Sequence, residues 1–250
     1  MMLGRAALET LSGSHVAVFG LGGVGGYVVE VLARSGVGAL DIFDNDSVSE
    51  SNINRQIIAL HSTIGRPKVD VAAERILDIN PQCVVSRRQM FYLPEHADEV
   101  DLAQYDYVVD CIDTVKAKLE LVRRCHRLGV PLLSCMGAAN KLDPTAFRVA
   151  DLSKTQIDPL CKVIRKQLRK EGILHLKCVY SEEEPLRPLE QPVAERIPAN
   201  GMPASTVRRD VPASNAFVPA AAGLIAGGEV VKDLLRKAGT LRSTRTGESE

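Results

Sequence analysis

The order of apolar and polar positions predicts strands that alternate with helices along the first half of the chain. Short apolar runs typical of buried parallel strands occur at residues 15–19, 39–43, 83–86, 107–110 and 130–134. Apolar residues at helical spacing lie between them, at about 25–34, 67–79 and 115–128. Strands joined by helices in this way predict an α/β fold, a doubly wound and mostly parallel sheet of the Rossmann-like type.

The pattern changes after residue 137 but keeps elements of both kinds. Further strands are predicted at 147–150 and 177–180, and helices at 158–170 and 216–237. The apolar positions 160, 163, 164 and 168 define the predicted buried face of the helix at 158–170. Residues 181–212 hold six of the 13 prolines, which favours a mobile crossover or lid loop.

Three regions follow from this order of elements. Residues 1–140 form the predicted nucleotide-binding half, with one or two helical turns before the first strand. Residues 141–237 extend the same domain as a substrate and dimerisation half, and residues 238–250 form a disordered tail.

Charge and cysteine usage narrow the class of protein. The 250 residues carry 31 basic and 31 acidic side chains, so no overall field favours nucleic acid or a membrane, and either partner needs a local patch. The six cysteines form no CxxC pair, which argues against a zinc ribbon or a disulfide framework and favours free thiols in a reducing compartment. No signal peptide or membrane span is apparent, so we expect a cytoplasmic protein.

A glycine-rich turn joins the first predicted strand to the first long helix. Its four spaced glycines are Gly20, Gly22, Gly23 and Gly25, and the second strand ends at Asp44. Glycines let the backbone approach a phosphate, and the following helix directs free N–H groups toward it. Strand, glycine turn, helix, strand and acid form a mononucleotide-binding unit in which Asp44 binds ribose hydroxyls; the alternative is a solvated strand end.

Two cations follow this unit. Arg55 lies in a polar loop, where a surface position is the simpler interpretation, but its planar guanidinium can clamp phosphate oxygens. Asn52 and Gln56 can add neutral donors, and Asp46 is expected to shape the loop. Lys68 lies in the first turn of a helix, against the helix dipole, so it is either tolerated in solvent or compensated by a nearby anion. Two cations suit a triphosphate better than a dinucleotide.

The fourth predicted strand ends in two carboxylates, Asp110 and Asp113. Ligands of doubly wound sheets bind at this end of the strands. Alternation places the two side chains on different sides, and Asp113 is the candidate Mg²⁺ ligand because Mg²⁺ bridges a carboxylate to phosphates. The alternative is that Asp113 caps the following helix, a role for which Thr114 competes.

The helix at 158–170 carries a run of cations without an acid inside it: Lys162, Arg165, Lys166, Arg169 and Lys170. A solvated helix face is the usual explanation. It is nonetheless the best local candidate for contact with an RNA backbone.

Three separated motifs resemble one superfamily in order. The stretch GLGGVGGYVVEVLARSGVGALDIFDNDSVSESNINRQ, then IGRPKV and DCID, resembles the adenylating domain of the ThiF/MoeB and ubiquitin-activating enzymes over roughly residues 13–140. The resemblance implies that the turn glycines and Asp44 hold ATP. It implies that Asn52, Arg55, Gln56 and Lys68 contact phosphates and that Asp113 coordinates Mg²⁺. The implied reaction is attack of a carboxylate on the α-phosphorus.

The second half resembles one branch of that superfamily, the tRNA threonylcarbamoyladenosine dehydratases (TcdA, or CsdL). The resemblance lies in LDPTAFRVADLSKTQIDPLCKVIRKQLRK and LKCVYSEE. It implies a homodimer that uses ATP to activate the threonyl carboxylate of the modified adenosine in tRNA, which then cyclises with net loss of water. A sulfur-transfer protein of a cysteine desulfurase system is a further implied partner. Cys178 matches a family cysteine, without an implied catalytic role.

The resemblance has one departure and leaves alternatives open. Family members commonly have a longer N-terminal arm whose arginine reaches the partner subunit's ATP, and here only Arg5 precedes the first strand. Either Arg5 makes that contact or the sequence as given lacks it. Within the superfamily, the alternative activity is adenylation of the C-terminal glycine of a ubiquitin-like sulfur carrier, although such enzymes usually carry paired CxxC motifs. A third possible function is that of an NAD-dependent dehydrogenase, which would leave Arg55, Lys68 and Asp113 without roles. A fourth is a binding module without catalytic activity.

Overall fold

The structure is a computed structural model that describes residues 2–187 and 213–241. Most of the predicted lid loop, residues 188–212, lies outside the described residues. So do residues 242–250 of the predicted tail.

The predicted alternation of strands and helices is confirmed. The strands are β1 (His15–Phe19), β2 (Ala39–Phe43), β3 (Val84–Arg88), β4 (Tyr107–Asp110), β5 (Leu132–Cys135), β6 (Phe147–Asp151) and β7 (Lys177–Ser181). The helices are α1 (Arg5–Ser12), α2 (Gly25–Arg34), α3 (Lys68–Ile79), α4 (Val115–Leu128), α5 (Pro159–Lys170) and α6 (Val218–Lys237). The observed boundaries differ from the predicted ones by a few residues. The reason is that a strand ends where its hydrogen bonds to the neighbouring strand end, and not where the apolar residues end.

The strands form one seven-stranded sheet in the order β3-β2-β1-β4-β5-β7-β6. All neighbours are parallel except β6, which pairs antiparallel with β7 at the edge. This is the predicted doubly wound sheet, and the strand order reverses between β1 and β4. Ligands of such sheets bind beyond the carboxyl ends of the strands at that reversal.

Helices cover both faces of the sheet. The largest buried cluster joins the sheet to α1, α2, α3 and α6, through side chains such as Leu11, Leu32, Ile76 and Leu235. A second cluster lies between the other face and α4, and a third joins α4 to α5 and β7. A sheet that is buried on both faces explains why β1, β2 and β4 are mostly apolar in the sequence.

Helix α6 returns from the second half of the chain to pack on α2 in the first half. A Cβ atom built on Gly227 would lie 2.7 Å from the Cβ of Val31, so the two helices approach too closely for any side chain there. Residues 238–241 of the predicted disordered tail lie in this region and are ordered. Leu241 packs against the main cluster, and the Oγ1 atoms of Thr240 and Thr10 are 3.1 Å apart.

Two local predictions need correction. The helix predicted from residue 67 begins instead at Lys68, and Pro67 is its N-cap, because the Pro67 ψ of 134° is not helical. Val163, a predicted member of the buried face of α5, is instead 45% exposed. The buried positions are Cys161, Ile164 and Leu168, which follow a spacing of three and four residues.

Candidate functional site

A cavity of about 870 Å³ lies beyond the carboxyl ends of β1, β2, β4 and β5. Its lining brings together nine of the residues predicted to bind or act on a nucleotide: Gly20, Gly22, Gly23, Asp44, Asn52, Arg55, Gln56, Lys68 and Asp113. They come from separate connections in the first half of the chain. The parallel sheet gathers them, because its strands all end at this edge.

The glycines of the turn have different physical roles. Gly20 has a φ of 90°, and a Cβ there would be 2.8 Å from the Cys111 carbonyl oxygen. A Cβ on Gly25 would overlap the Gly20 carbonyl oxygen, and Gly25 does not line the cavity. Gly25 therefore allows the helix to begin close against the strand. Gly22 differs from both, since a Cβ there would lie more than 4 Å from every neighbouring atom of the described residues.

The backbone of this turn offers donors to the cavity. Within the described part of the chain, the N–H groups of Gly22, Gly23 and Val24 donate to no protein acceptor. They precede the first turn of α2, where the helix dipole adds a partial positive charge. Free amides at a helix N-terminus, with a glycine whose Cβ position is empty, are what a phosphate group requires.

Lys68 is buried at the cavity wall and is held by two acids. Its side chain is 6% exposed, and its Nζ donates to Asp46 Oδ2 at 2.8 Å and lies 3.7 Å from Asp44 Oδ1. The anion that compensates the lysine within the protein is therefore chiefly Asp46, for which the sequence predicts only a role in shaping the loop. Asp44 is fixed by the N–H groups of Leu21 (2.7 Å) and Asp46 (2.9 Å).

The loop after β2 supplies Asn52, Arg55 and Gln56. Arg55 Nη1 donates to the carbonyl oxygen of Ser51 and to the side chain of Asn54, both at 2.8 Å, which fixes the guanidinium at the wall. Asn52 Oδ1 accepts from the N–H of Ser49, which leaves its side-chain nitrogen as the donor it can offer. Gln56 Oε1 is buried and has no hydrogen-bond partner among the described residues. Such an atom needs a ligand or a water molecule.

Asp113 is exposed at the mouth of the cavity and does not cap α4. The N-cap is Thr114, which makes no side-chain capping bond and donates through Oγ1 to Asp113 Oδ1 at 3.3 Å. In the described ranges no group of three or more His, Cys, Asp or Glu side chains could hold a metal. A single carboxylate beside a phosphate cradle still fits Mg²⁺, which binds through one or two carboxylates and the substrate's phosphates.

Several cavity residues were missed from the sequence. Met90, Phe91 and Tyr92 follow β3 and line the wall on the side of Phe43. These three residues form a short apolar run just beyond β3, and such a run at the end of a strand could have indicated a cavity wall. Lys118 of α4 also lines the cavity, and nothing in the sequence around it marks it.

The cysteines near the cavity are poor nucleophiles. Cys111 and Cys135 both line it, with their Sγ atoms 3.7 Å apart. The hydrogen bond to Cys135, together with burial, raises the pKa of the Cys111 thiol well above its usual value. The contact with Cys161, together with burial, also raises the pKa of Cys178. Thiols of this kind are protonated at neutral pH, so the site favours chemistry without a cysteine nucleophile.

The cationic face of α5 keeps four of its five predicted members. Lys162, Lys166, Arg169 and Lys170 are exposed. Arg165 is instead half-buried, and its Nη1 donates to the carbonyl oxygens of Leu152 (3.1 Å) and Thr155 (2.9 Å). Its predicted availability to RNA is therefore reduced, because the guanidinium already secures the turn before α5.

The chain belongs to the ThiF family, whose model matches residues 1–246. It is 47% identical to the tRNA threonylcarbamoyladenosine dehydratase of Bacillus subtilis, a match that covers 94% of this chain and 92% of the relative. The Escherichia coli dehydratase is 40% identical over 73% of this chain and 71% of its own length. Among described spans, no helix has the length and apolarity to cross a membrane.

Solved structures of a tRNA threonylcarbamoyladenosine dehydratase also resemble this chain closely. The crystal structure of Escherichia coli TcdA in complex with ATP superposes with a TM-score of 0.82 at 34% identity, covering 95% of this chain and 92% of that one. A complex of the same enzyme with AMP matches equally well. The Escherichia coli MccB structure with ATP, at 18% identity and a TM-score of 0.62, supports only the fold.

Proposed function

We propose that this protein is an ATP-dependent tRNA threonylcarbamoyladenosine dehydratase. The observation that carries the proposal is the convergence of free turn amides, Arg55 and Lys68 on one cavity beside the exposed carboxylate of Asp113. The similarity to dehydratases over nearly the whole chain supports the choice of substrate.

The residues of the cavity suit the first step, transfer of AMP to a carboxylate. The substrate carboxylate attacks the α-phosphorus, an O–P bond forms, and the bond to the β-phosphate oxygen breaks to release pyrophosphate. The N–H groups of Gly22 and Gly23 and the cations of Arg55 and Lys68 stabilise charge on the triphosphate, and Asp44 binds the ribose. Groups fixed before the reaction stabilise developing charge most effectively.

The second step needs no group from the protein that forms a covalent bond. A nitrogen of the threonylcarbamoyl group attacks the activated carbonyl carbon, loses its proton, and the C–O bond to AMP breaks. The sum of both steps is loss of one water from the modified nucleoside, with ATP converted to AMP and pyrophosphate. The raised pKa values of Cys111 and Cys178 agree with a mechanism that uses no thiolate.

Mg²⁺ is part of this proposal, and Asp113 is the residue that would hold it. The ion would neutralise phosphate charge and fix the leaving pyrophosphate. Addition of a chelator should stop AMP formation, and Mg²⁺ should restore it. Recovery of activity without a divalent ion would remove Asp113 from this role.

The exposed cations of α5 are the proposed contact with the tRNA backbone. Leu160, in the first turn of α5, lines the cavity, while the exposed Lys162, Lys166, Arg169 and Lys170 extend away from it. The cations lie along one helix in a protein with equal numbers of acidic and basic residues. A concentrated positive surface that leads to the cavity suits a polyanion.

Adenylation of a sulfur-carrier protein is less well supported. The Escherichia coli molybdopterin-synthase adenylyltransferase matches only 54% of this chain, at 37% identity. The six cysteines also lack the paired CxxC pattern. Incubation with ATP, Mg²⁺ and tRNA from a strain without the activity, followed by nucleoside mass analysis, separates the two activities. Loss of one water supports the proposal, and carrier-dependent pyrophosphate exchange without that loss contradicts it.

The predicted assembly and location complete the proposal. A homodimer, a sulfur-transfer partner and a cytoplasmic location stay predictions from the resemblance. Arg5 is exposed at the start of α1, where it is the candidate for contact with a partner subunit's nucleotide. Sedimentation of the wild-type protein tests the dimer, and loss of AMP formation in Arg5→Ala without loss of the dimer tests the contact.

A further inference from the structure

A fully buried ionic cluster lies directly behind the candidate Mg²⁺ ligand. Asp110, at the end of β4, is 0% exposed, and Lys118 of α4 is 1% exposed. Lys118 Nζ donates to Asp110 Oδ2 at 2.9 Å and to the carbonyl oxygen of Cys135 at 2.7 Å. Ser134 donates its hydroxyl to the same Asp110 oxygen at 2.6 Å. The cluster thus joins the ends of β4 and β5 to the first turns of α4.

The other oxygen of Asp110 controls the path of the chain toward Asp113. Asp110 Oδ1 accepts a hydrogen bond from the backbone N–H of Ile112 at 3.0 Å. An Asp that bonds a backbone N–H two residues ahead fixes a local turn. Asp113 follows Ile112 at once, and α4, which Lys118 ties to the same carboxylate, begins two residues later. The short segment that carries Asp113 is therefore fixed at both ends by one carboxylate.

Stability alone does not explain a buried ion pair at this place. Removing two charges from water is costly, and apolar residues of similar volume are often at least as stabilising. Asp110 is also enclosed by three donors, so it is unavailable as a ligand for a metal ion. The Asp110–Lys118 pair provides two things that an apolar pair does not. It supplies the acceptor for the Ile112 N–H, and it fixes the distance between the ends of β4 and β5.

We propose that Asp110 is a positioning residue that holds the Asp113 carboxylate in place for the metal ion of Mg·ATP, with Lys118 as its buried counter-ion. This inference rests on the ATP-dependent function proposed above. Residues that orient a metal ligand without touching the metal typically change metal affinity by about 10–100-fold when they are altered. The same effect is expected here on the affinity for a divalent ion.

Two double variants separate positioning from stability. Asp110→Leu with Lys118→Met removes both charges and the acceptor for Ile112, whereas Asp110→Asn with Lys118→Met removes the charges and keeps an amide oxygen as acceptor. The probe is Mn²⁺, with free Mn²⁺ measured by electron paramagnetic resonance in the presence of α,β-methylene ATP. We expect the Leu/Met variant to bind Mn²⁺ about 10–100-fold more weakly than the wild type, and the Asn/Met variant to keep most of the affinity.

The control is a half-buried ion pair remote from the cavity. Glu30→Leu with Arg75→Met removes the pair between α2 and α3, whose closest atoms are 2.6 Å apart, and should bind Mn²⁺ like the wild type. Thermal melting of every variant identifies unfolding, and Asp110→Met with Lys118→Leu is the reserve pair if the first one is unstable. Wild-type Mn²⁺ affinity in a folded variant without the acceptor overturns the inference, and so does an equal loss in both double variants. Absence of AMP formation by the wild type with tRNA would instead contradict the proposed function.

Discussion

Replacement of Lys68 by methionine tests the electrostatic basis of the site most directly. Methionine keeps a long unbranched side chain in a position that is 6% exposed, so it removes the charge with little change in packing. The two acids beside Lys68 remain. Asp46 is 58% exposed and can be solvated by water, while Asp44 keeps its bonds to the N–H groups of Leu21 and Asp46.

The expected effect on catalysis is large and the effect on folding small. An ammonium and a phosphate charge about 4 Å apart attract by roughly 4 kcal/mol at an effective dielectric constant of about 20. At about 1.4 kcal/mol for each factor of ten, loss of this attraction lowers kcat/KM by up to roughly a thousandfold, because the triphosphate is charged when it binds as well as in the transition state. We expect only a small fall in Tm, because the exposed Asp46 is solvated when the lysine is removed and Asp44 keeps its two backbone donors.

The assay is AMP formation with ATP, Mg²⁺ and tRNA that carries the uncyclised threonylcarbamoyl group, beside a melting curve. Lys232→Met is the matched control, because Lys232 is a half-exposed lysine of α6 that pairs with Glu229 away from the cavity. AMP formation should be almost abolished in Lys68→Met and unchanged in Lys232→Met. Wild-type turnover by Lys68→Met would refute the assignment of Lys68 to the phosphates, and a collapse in Tm would show that its role is structural.

Three further predictions follow from the same geometry. Gly22→Ala should fold normally, because its Cβ would meet no atom within 4 Å in the described part of the chain, but should bind ATP more weakly by calorimetry. Gly25→Ala should lower Tm, because its Cβ would overlap the Gly20 carbonyl oxygen. The reverse order of the two effects contradicts the division of roles between these glycines. Asp113→Ala should abolish AMP formation while the melting curve stays the same, since the carboxylate is exposed; wild-type turnover removes it from the mechanism. Charge reversal of Lys162 and Lys166 should weaken tRNA binding and reduce the slope of log affinity against log salt by about 0.7–0.9 for each phosphate that the protein no longer neutralises. An unchanged slope in filter-binding titrations would show that the exposed face of α5 does not bind tRNA and is only a solvated surface.

The sequence by itself determined the order of elements in the first unit and which residues are expected at the phosphate site. The apolar runs, the glycine turn and Asp44 are local signals, because a strand, a tight turn and a helix N-terminus each impose a requirement on neighbouring residues. Arg55, Lys68 and Asp113 are predictable because each follows a strand or opens a helix at the ligand-binding edge. The structure places all three at the wall of one cavity.

Only the tertiary structure decided what distant residues do to one another. Lys118 is an ordinary lysine in an amphipathic helix until packing buries it against Asp110 and Cys135. Arg165 resembles its cationic neighbours until the turn at Leu152 and Thr155 folds onto it. The physical reason is the same in both cases. Periodicity along a chain shows which face of a helix is apolar, but a charged side chain is surface or buried according to the acceptors that other segments bring to it.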